Sequence, residues 1–219
     1  ISCGLPPYLA MGTNKGQSVF GSGTALARFA RSHLFDSKRA LLSFLPALLG
    51  ACAGVGGLIM LNYRSPNVLR PLIITLLTSV AVFMIFYRPP HNRPPLKDKR
   101  LWAAIPIALL IAAYDGFFGP GTGTFLILAY ALVFHDPLDR ASANAKLVNF
   151  CSNLASFVLF AMQGWIIWKV ALPMALGQMT GALLGAHITL RKGKSVVRYV
   201  AVAVCLGLIA KVAWDFTHR

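Results

Sequence analysis

A glycine-rich run around a single carboxylate is the part of the sequence best suited to bind a ligand. Residues 114–124 read YDGFFGPGTGT and separate two short apolar runs, at 101–114 and 125–134. Glycine lets a backbone bend or approach a ligand closely, and the N–H groups and dipole at the start of a helix favour an anion. Thr122 and Thr124 can cap a helix formed by the second apolar run. We therefore predict ligand contacts from Asp115, Gly119, Gly121, Thr122 and Gly123; the alternative is a tight structural hairpin.

Asp115 lies at the end of an apolar segment, where an unpaired carboxylate is costly. The carboxylate is expected to pair with a cation, to face a cavity or to be protonated. Lys15 and Lys146 are the candidate partners. The alternative is an aspartate at the membrane interface that caps a turn.

The two lysines belong to two similar polar patches. The first is Thr13, Asn14 and Lys15, and the second is Asn144, Lys146, Asn149 and Asn153. Hydroxyls, amides and a fixed cation suit an oxyanion without a metal, so we predict substrate-binding roles for all seven residues. For each lysine the alternative is that the side chain reaches to the membrane interface.

Signatures of hydrolytic enzymes are absent from the sequence. It contains no Glu, no Gly-x-Ser-x-Gly and no His-Glu-x-x-His, and Ile188 stands where a phosphate loop ending at Gly193-Lys194-Ser195 needs glycine. An aspartyl protease would need a second carboxylate at the depth of Asp115. The four cysteines lie far apart and have no metal-ligand spacing. We predict a protein that is not an enzyme and that has no cofactor or metal.

The composition excludes a soluble domain. Hydrophobic residues make up 57% of the chain and charged residues 12%, about half the share in soluble proteins. The net charge is +15, but the basic residues lie in short loops between apolar runs, as the positive-inside rule requires. This pattern indicates a multi-pass protein of a bacterial inner membrane, with the lipid bilayer as partner and no nucleic acid.

Hydropathy predicts an all-α, polytopic membrane protein in two parts. Residues 1–100 hold helices at about 18–34, 40–61 and 68–87 and a basic cytoplasmic loop, and residues 101–219 hold the hairpin at 101–135 and helices at about 146–163, 168–190 and 196–216. Each arm of the hairpin is too short to span the bilayer, so we expect a broken-helix pair. The loop charges place the loops near residues 28–39, 88–100 and 191–198 in the cytoplasm.

The two parts resemble each other. Lys15 aligns with Lys146, Phe29 with Phe160, and Gly50 and Gly54 with Gly177 and Gly181. With the predicted orientation, equivalent helices run in opposite directions, which is an inverted-topology repeat typical of secondary transporters. Chance similarity between Ala/Gly/Leu-rich helices is the alternative. The spacing Gly50–Gly54 and Gly177–Gly181–Gly185 predicts closely approaching helices.

Three motifs carry a family resemblance over nearly the whole chain: AMGTNKGQ at 10–17, YDGFFGPGTG at 114–123 and ASANAKLVN at 141–149. They resemble the TauE/SafE sulfite exporter family, also called TSUP or DUF81, in its probable membrane transporter branch. The resemblance implies an inner-membrane protein that moves sulfite, sulfonates or other small organic anions. It also implies a first glycine-rich hairpin before Leu5, so we expect an N-terminally truncated fragment.

Together these features predict a secondary transporter or exporter of a small anion. The substrate would bind between the broken hairpins and the segments of Lys15 and Lys146, and the coupling ion, a proton or sodium, is left open. The alternative is a non-transporting membrane scaffold or accessory subunit, with a solidly packed hairpin and with Asp115 and both lysines facing lipid headgroups.

Overall fold

The computed structural model describes residues 5–65, 67–69, 71, 72, 75, 76, 79 and 101–192. These residues form helices joined by short turns, with no strand among them, as predicted. The helices are α1 (Pro7–Phe29), α2 (Ser37–Arg64), α3 (Ala104–Phe117, after a single turn of 3-10 helix at Leu101–Ala103), α4 (Thr122–Val133), α5 (Leu138–Met162) and α6 (Trp168–Lys192).

Helices α1 and α5 begin earlier than the hydropathy indicated. The predicted segment 18–34 is α1 at Pro7–Phe29, and 146–163 is α5 at Leu138–Met162. Pro7 is the first residue of α1, and Pro137 is the residue before α5. Proline is favoured at the start of a helix because the backbone N–H that it lacks would have no partner within the helix there. The polar patches therefore lie inside long helices rather than before them. Most of the predicted helix 68–87 and all of 196–216 lie outside the described residues.

Two of the described helices, α2 and α5, are long and apolar enough to cross a membrane. The arms α3 and α4 contain 14 and 12 residues, which at 1.5 Å per residue give lengths of about 21 and 18 Å. Both are shorter than the roughly 30 Å hydrocarbon layer. The backbone therefore breaks at a depth where only protein or enclosed water can satisfy its polar groups.

Helices α2 and α3 pack with their backbones in contact. A Cβ at Gly50 would overlap the carbonyl of Leu109, one at Gly54 would overlap the carbonyl of Ala113, and one at Gly116 would overlap the carbonyl of Ala51. The predicted close approach at Gly50 and Gly54 is therefore present. The same prediction for Gly177, Gly181 and Gly185 stays a prediction, because no described residue lies within 4 Å of their Cβ positions.

Helix α5 packs against α1, α2, α3 and α4. Its contacts with α1 pair Lys15 with Asn153 and Gly23 with Phe150, so the two helices run antiparallel. Helices α1 and α6 run parallel, because Gly21 lies against Gln178 and Arg28 lies 3.4 Å from His187. Helix α2 runs parallel to α5, because Asp36 contacts Asn144 and Tyr63 contacts Gln163, so α2 and α6 run in opposite directions.

The glycine contacts give a direct test of the fold. Gly54→Ala should lower the stability of the purified protein by about 1–3 kcal/mol, because the added methyl group meets a rigid carbonyl. Thermal unfolding in detergent measures the loss. Gly56→Ala in the same helix is the control, since no described residue lies within 4 Å of its Cβ position. Equal melting temperatures for the two variants would contradict the α2–α3 packing.

Candidate functional site

A buried ion pair joins the hairpin to α1. Asp115 lies in the last turn of α3, and its Oδ1 is 2.8 Å from the Nζ of Lys15. The two side chains are 3% and 4% exposed. Of the two lysines that the sequence offered as partners, the structure pairs Asp115 with Lys15.

Helix α5 supplies the remaining contacts of the pair. The hydroxyl of Ser152 donates a short hydrogen bond to Oδ2 of Asp115. The ammonium of Lys15 donates to Oδ1 of Asn153 at 3.1 Å, and the amide of Asn153 donates to the carbonyl of Asn149 at 2.7 Å. Three helices therefore meet at one polar point within an apolar interior.

Ser152 was not among the predicted site residues. Asn149, Ser152, Asn153 and Ser156 recur at intervals of three and four residues, and Ser152 and Ser156 are fully buried. That spacing places polar groups along one side of a helix. It was the signal in the sequence that could have identified Ser152.

Burial makes the pair strongly interdependent. Two charges removed from water lose most of their hydration, and their mutual attraction and hydrogen bonds must offset that loss. Each carboxylate oxygen has a partner, and the ammonium has two. The pair has no net charge, so Lys15 attracts an anion only weakly while it is bound to Asp115.

The break between α3 and α4 is narrow and depends on glycine. It spans residues 118–121, with φ of 94° at Gly119 and 82° at Gly121. These left-handed values are strained for other residues. A Cβ on Gly119 would lie 3.4 Å from Nζ of Lys15 and 3.5 Å from Oδ1 of Asp115. The turn is thus in contact with the ion pair.

Two hydroxyls hold this turn. Tyr114 donates to the carbonyl of Pro120 at 2.6 Å, and Thr122 donates to the carbonyl of Gly119 at 2.6 Å. The prediction that Thr122 caps α4 was wrong. Gly121 occupies the cap position without a side-chain hydrogen bond, and the Thr122 hydroxyl bonds back across the turn instead. Gly123 lies in the first turn of α4, and no residue that the structure describes lies within 4 Å of its Cβ position.

Three predicted site residues lie away from the ion pair. Thr13 accepts a hydrogen bond from the N–H of Ile167 at 3.1 Å, which fixes the turn before α6. Asn14 is exposed and accepts from the side chain of Gln17. The side chain of Asn144 accepts a hydrogen bond of 2.8 Å from the N–H of Asp36, between the end of α1 and the start of α2.

Lys146 has a different environment from Lys15. Its side chain is partly buried, and within the described ranges its ammonium forms no hydrogen bond or ion pair. Lys146, Asn149 and Asn153 are spaced at i, i+3 and i+7, so they share one face of α5. Among the described residues, a cation without a counter-charge therefore lies on the same face of α5 as Asn153, which contacts Lys15.

The described residues hold no group of three or more His, Cys, Asp or Glu side chains that could bind a metal ion. Cys151 is buried and Cys52 is exposed, and both are free thiols. The polar groups of the site are amides, hydroxyls, one carboxylate and two ammonium groups.

Comparison with known proteins assigns the family. The family described as Sulfite exporter TauE/SafE matches residues 1–212. The chain belongs to this family. It is 32% identical to a "Probable membrane transporter protein" of Haemophilus influenzae, over 98% of this chain and 84% of that protein. It is 33% identical to the "Probable membrane transporter protein ORF9" of a Sinorhizobium species, over 100% of this chain and 83% of that protein.

A third relative is the "Probable membrane transporter protein YfcA" of Escherichia coli, with 30% identity over 98% of this chain and 79% of that protein. No solved structure matches the chain. Membership of the TauE/SafE family and the names of these relatives support a membrane transporter of the TauE/SafE type.

The ion pair can be tested by a double-mutant cycle. Lys15→Met or Asp115→Leu alone should destabilise the protein by about 3–5 kcal/mol, since each leaves a buried charge without its partner. The double variant should be more stable than either single variant, because no charge remains buried. Thermal unfolding of the four proteins measures the coupling, and additive losses would contradict a direct Lys15–Asp115 interaction.

Proposed function

We propose that this protein is a secondary transporter that moves a small anion across the bacterial inner membrane, in which it is a multi-pass protein. The family match suggests sulfite, a sulfonate or a related organosulfur compound as the anion. The relatives are named as membrane transporters, so the function proposed for this protein is transport and not catalysis.

The observation that carries the proposal is a buried ion pair against a broken hairpin, with Lys146 two turns away on α5 and without a partner among the described residues. Inside a membrane protein, ionisable groups are costly and mark pathways for ions or substrates. Lys15 and Asp115 contact α5 at Asn153 and Ser152, and together with Lys146 of α5 they sum to one positive charge. One bound anion would neutralise that charge.

Lys146 is the proposed first ligand of the anion. Its ammonium is uncompensated in the described chain, whereas Lys15 is neutralised by Asp115. The amides of Asn149 and Asn153 lie on the same face and can donate to an oxyanion once the helices separate. The glycines of the turn, Gly119 and Gly121, let its backbone approach the same point.

The helix directions support alternating access. Helices α1 and α5, which the sequence aligns through Lys15 and Lys146, run antiparallel, and so do α2 and α6. Equivalent helices in an inverted repeat must do this. We therefore retain the inverted-topology repeat as part of the proposal.

The coupling ion is a proton or sodium in this proposal. A proton on Asp115 would remove its charge and release Lys15 for the anion, so proton binding and anion binding would be linked. A sodium ion would instead need carbonyl oxygens at the break. Flux driven by a proton gradient or by a sodium gradient separates the two.

The alternative is a non-transporting scaffold or accessory subunit. It predicted Asp115 and both lysines facing lipid headgroups, but Asp115 and Lys15 are enclosed by α1, α3 and α5. A closed site and a tightly packed hairpin also fit a scaffold, so transport itself must be measured.

Flux in proteoliposomes tests the proposal. The purified protein should carry labelled sulfite or taurine, and Lys146→Gln should lower the flux at low substrate concentration about tenfold or more, since a charged hydrogen bond to the anion is lost. Lys169→Gln removes the same charge from an exposed position and should transport normally.

Two outcomes would count against this function. Absence of flux for every sulfur-containing and carboxylate anion tried would favour the scaffold. Equal flux for Lys146→Gln and Lys169→Gln would remove Lys146 from the binding site while leaving transport in place.

A further inference from the structure

A second group of buried charges lies near the end of α1 and the starts of α2 and α5. We call Asp36, Arg39, Asp136 and Arg140 the end cluster. Arg39 lies 2.5 Å from Asp136 and 3.1 Å from Asp36, and Arg140 lies 3.6 Å from Asp36 and 3.8 Å from Asp136. Two cations and two carboxylates thus share one site with no net charge.

The end cluster joins the two predicted halves of the chain. Asp36 and Arg39 belong to the α1–α2 turn and the start of α2, and Asp136 and Arg140 belong to the α4–α5 turn and the start of α5. Asp136 is fully enclosed, and the Arg39 side chain is 8% exposed. The guanidinium of Arg39 also lies over the ring of Phe134, 4.3 Å from its centre. These contacts close this end of the helix bundle.

The end cluster is incompletely hydrogen-bonded. Oδ1 of Asp136, Nε of Arg140 and Nδ2 of the neighbouring Asn144 are buried and have no hydrogen-bond partner within the described residues. Burial raises the pKa of the Asp136 carboxyl, and the Arg39 guanidinium beside it opposes that rise. Water could satisfy all three atoms if this end opened. Hydration of these atoms would offset part of the cost of separating the ion pairs.

A polar face of α5 runs from the first turns of that helix to the ion pair. Ser142, Lys146, Asn149 and Asn153 lie within about 60° of one another around the helix axis, at 100° per residue. Ser142 and Asn153 are eleven residues apart, which gives about 16 Å along the axis. Arg140 and Asn144 project from the other side of α5, so the end cluster holds the first turns of this helix against the start of α2. Opening at the end cluster would free those turns and let water or an anion enter along the polar face to Lys146 and the ion pair.

The opposite end of this path is closed differently. A Cβ at Gly12 would overlap the carbonyl of Trp165, and Thr13 is bonded to the N–H of Ile167. Backbone packing closes that end, whereas ion pairs close the other. Ion pairs can separate into water with little loss, but close backbone packing cannot be hydrated in the same way.

We propose that the end cluster is the cytoplasmic gate of the transport path. Its ion pairs between the two turns separate when the site opens to the cytoplasm, and water then hydrates the four charged groups. We place the end cluster on the cytoplasmic side because basic residues are enriched in cytoplasmic loops, and four lie in and around the α1–α2 turn: Arg28, Arg31, Lys38 and Arg39. The inference rests on the proposed function, but it can be tested without substrate.

Accessibility of one position on the polar face tests the gate. Ser142 is 7% exposed, and Ser142→Cys in a protein whose native cysteines are replaced should react slowly with a membrane-impermeant thiol reagent. Adding Arg39→Gln or Asp136→Asn should raise the labelling rate about tenfold or more from the cytoplasmic side only. The control is Lys38→Gln, an exposed neighbour of Arg39 with the same charge change, which should leave the rate unchanged.

A purely structural role of the end cluster predicts a different result. The variants would then melt at a lower temperature, while labelling of Ser142→Cys well below that temperature would stay at the parent rate; this would overturn the gate. Equal increases from both sides of the membrane would also overturn it, because they would indicate general loosening.

A cross-link across the end cluster provides a second test of the gate if those variants fail to fold. Asp36→Cys with Arg140→Cys, joined by a short cleavable bifunctional thiol reagent, should lower flux about tenfold or more, and cleavage should restore it. Unchanged flux after complete cross-linking would overturn the gate. A parent protein that carries no anion would contradict the proposed function instead, and the labelling of Ser142→Cys would still decide the gate.

Discussion

The ion pair between Lys15 and Asp115 is the interaction on which the rest of the described structure depends. A carboxylate in the last turn of a half-length helix needs compensation, and α1 provides it from more than 90 residues away in sequence. Ser152 and Asn153 of α5 complete the hydrogen bonds. Helices α1, α3 and α5 must therefore keep one mutual register, or a buried charge loses its partner.

This requirement explains why the turn of the hairpin is so poor in side chains. Gly119 lies against both charged groups and has a positive φ, so a larger residue would be strained and would press on the pair. The hydroxyls of Tyr114 and Thr122 satisfy two carbonyls that the break leaves outside a helix. The turn can thus exist at depth without lipid-exposed polar backbone.

Much of the hairpin could be predicted from sequence, but the membership of the site could not. The GFFGPGTG run and the short arms predicted the break, and the cost of a lone carboxylate predicted a lysine partner for Asp115. Thr13, Asn14 and Lys15 were grouped because they are adjacent. In a helix that begins at Pro7 they point about 100° apart, so Lys15 alone reaches Asp115.

The same limit applies to the helix boundaries. Lys15, Asn144 and Lys146 lower the local hydropathy, although they lie inside long helices whose polar groups face protein. A hydropathy window cannot distinguish a polar residue that faces protein from one that ends a span. The end cluster went unpredicted for a related reason, since Arg39 and Asp136 are 97 residues apart and only the fold brings them together.

The backbone contacts at Gly50, Gly54 and Gly116 have a mechanical consequence. Each carbonyl occupies the notch left by a missing side chain on the facing helix, so α2 and α3 resist sliding past each other. The pair should travel as one rigid body. A rearrangement that exposes Asp115 must therefore move α2 together with α3. The helices then slide past each other at other interfaces, which are those between α5 and α1 and between α5 and α2.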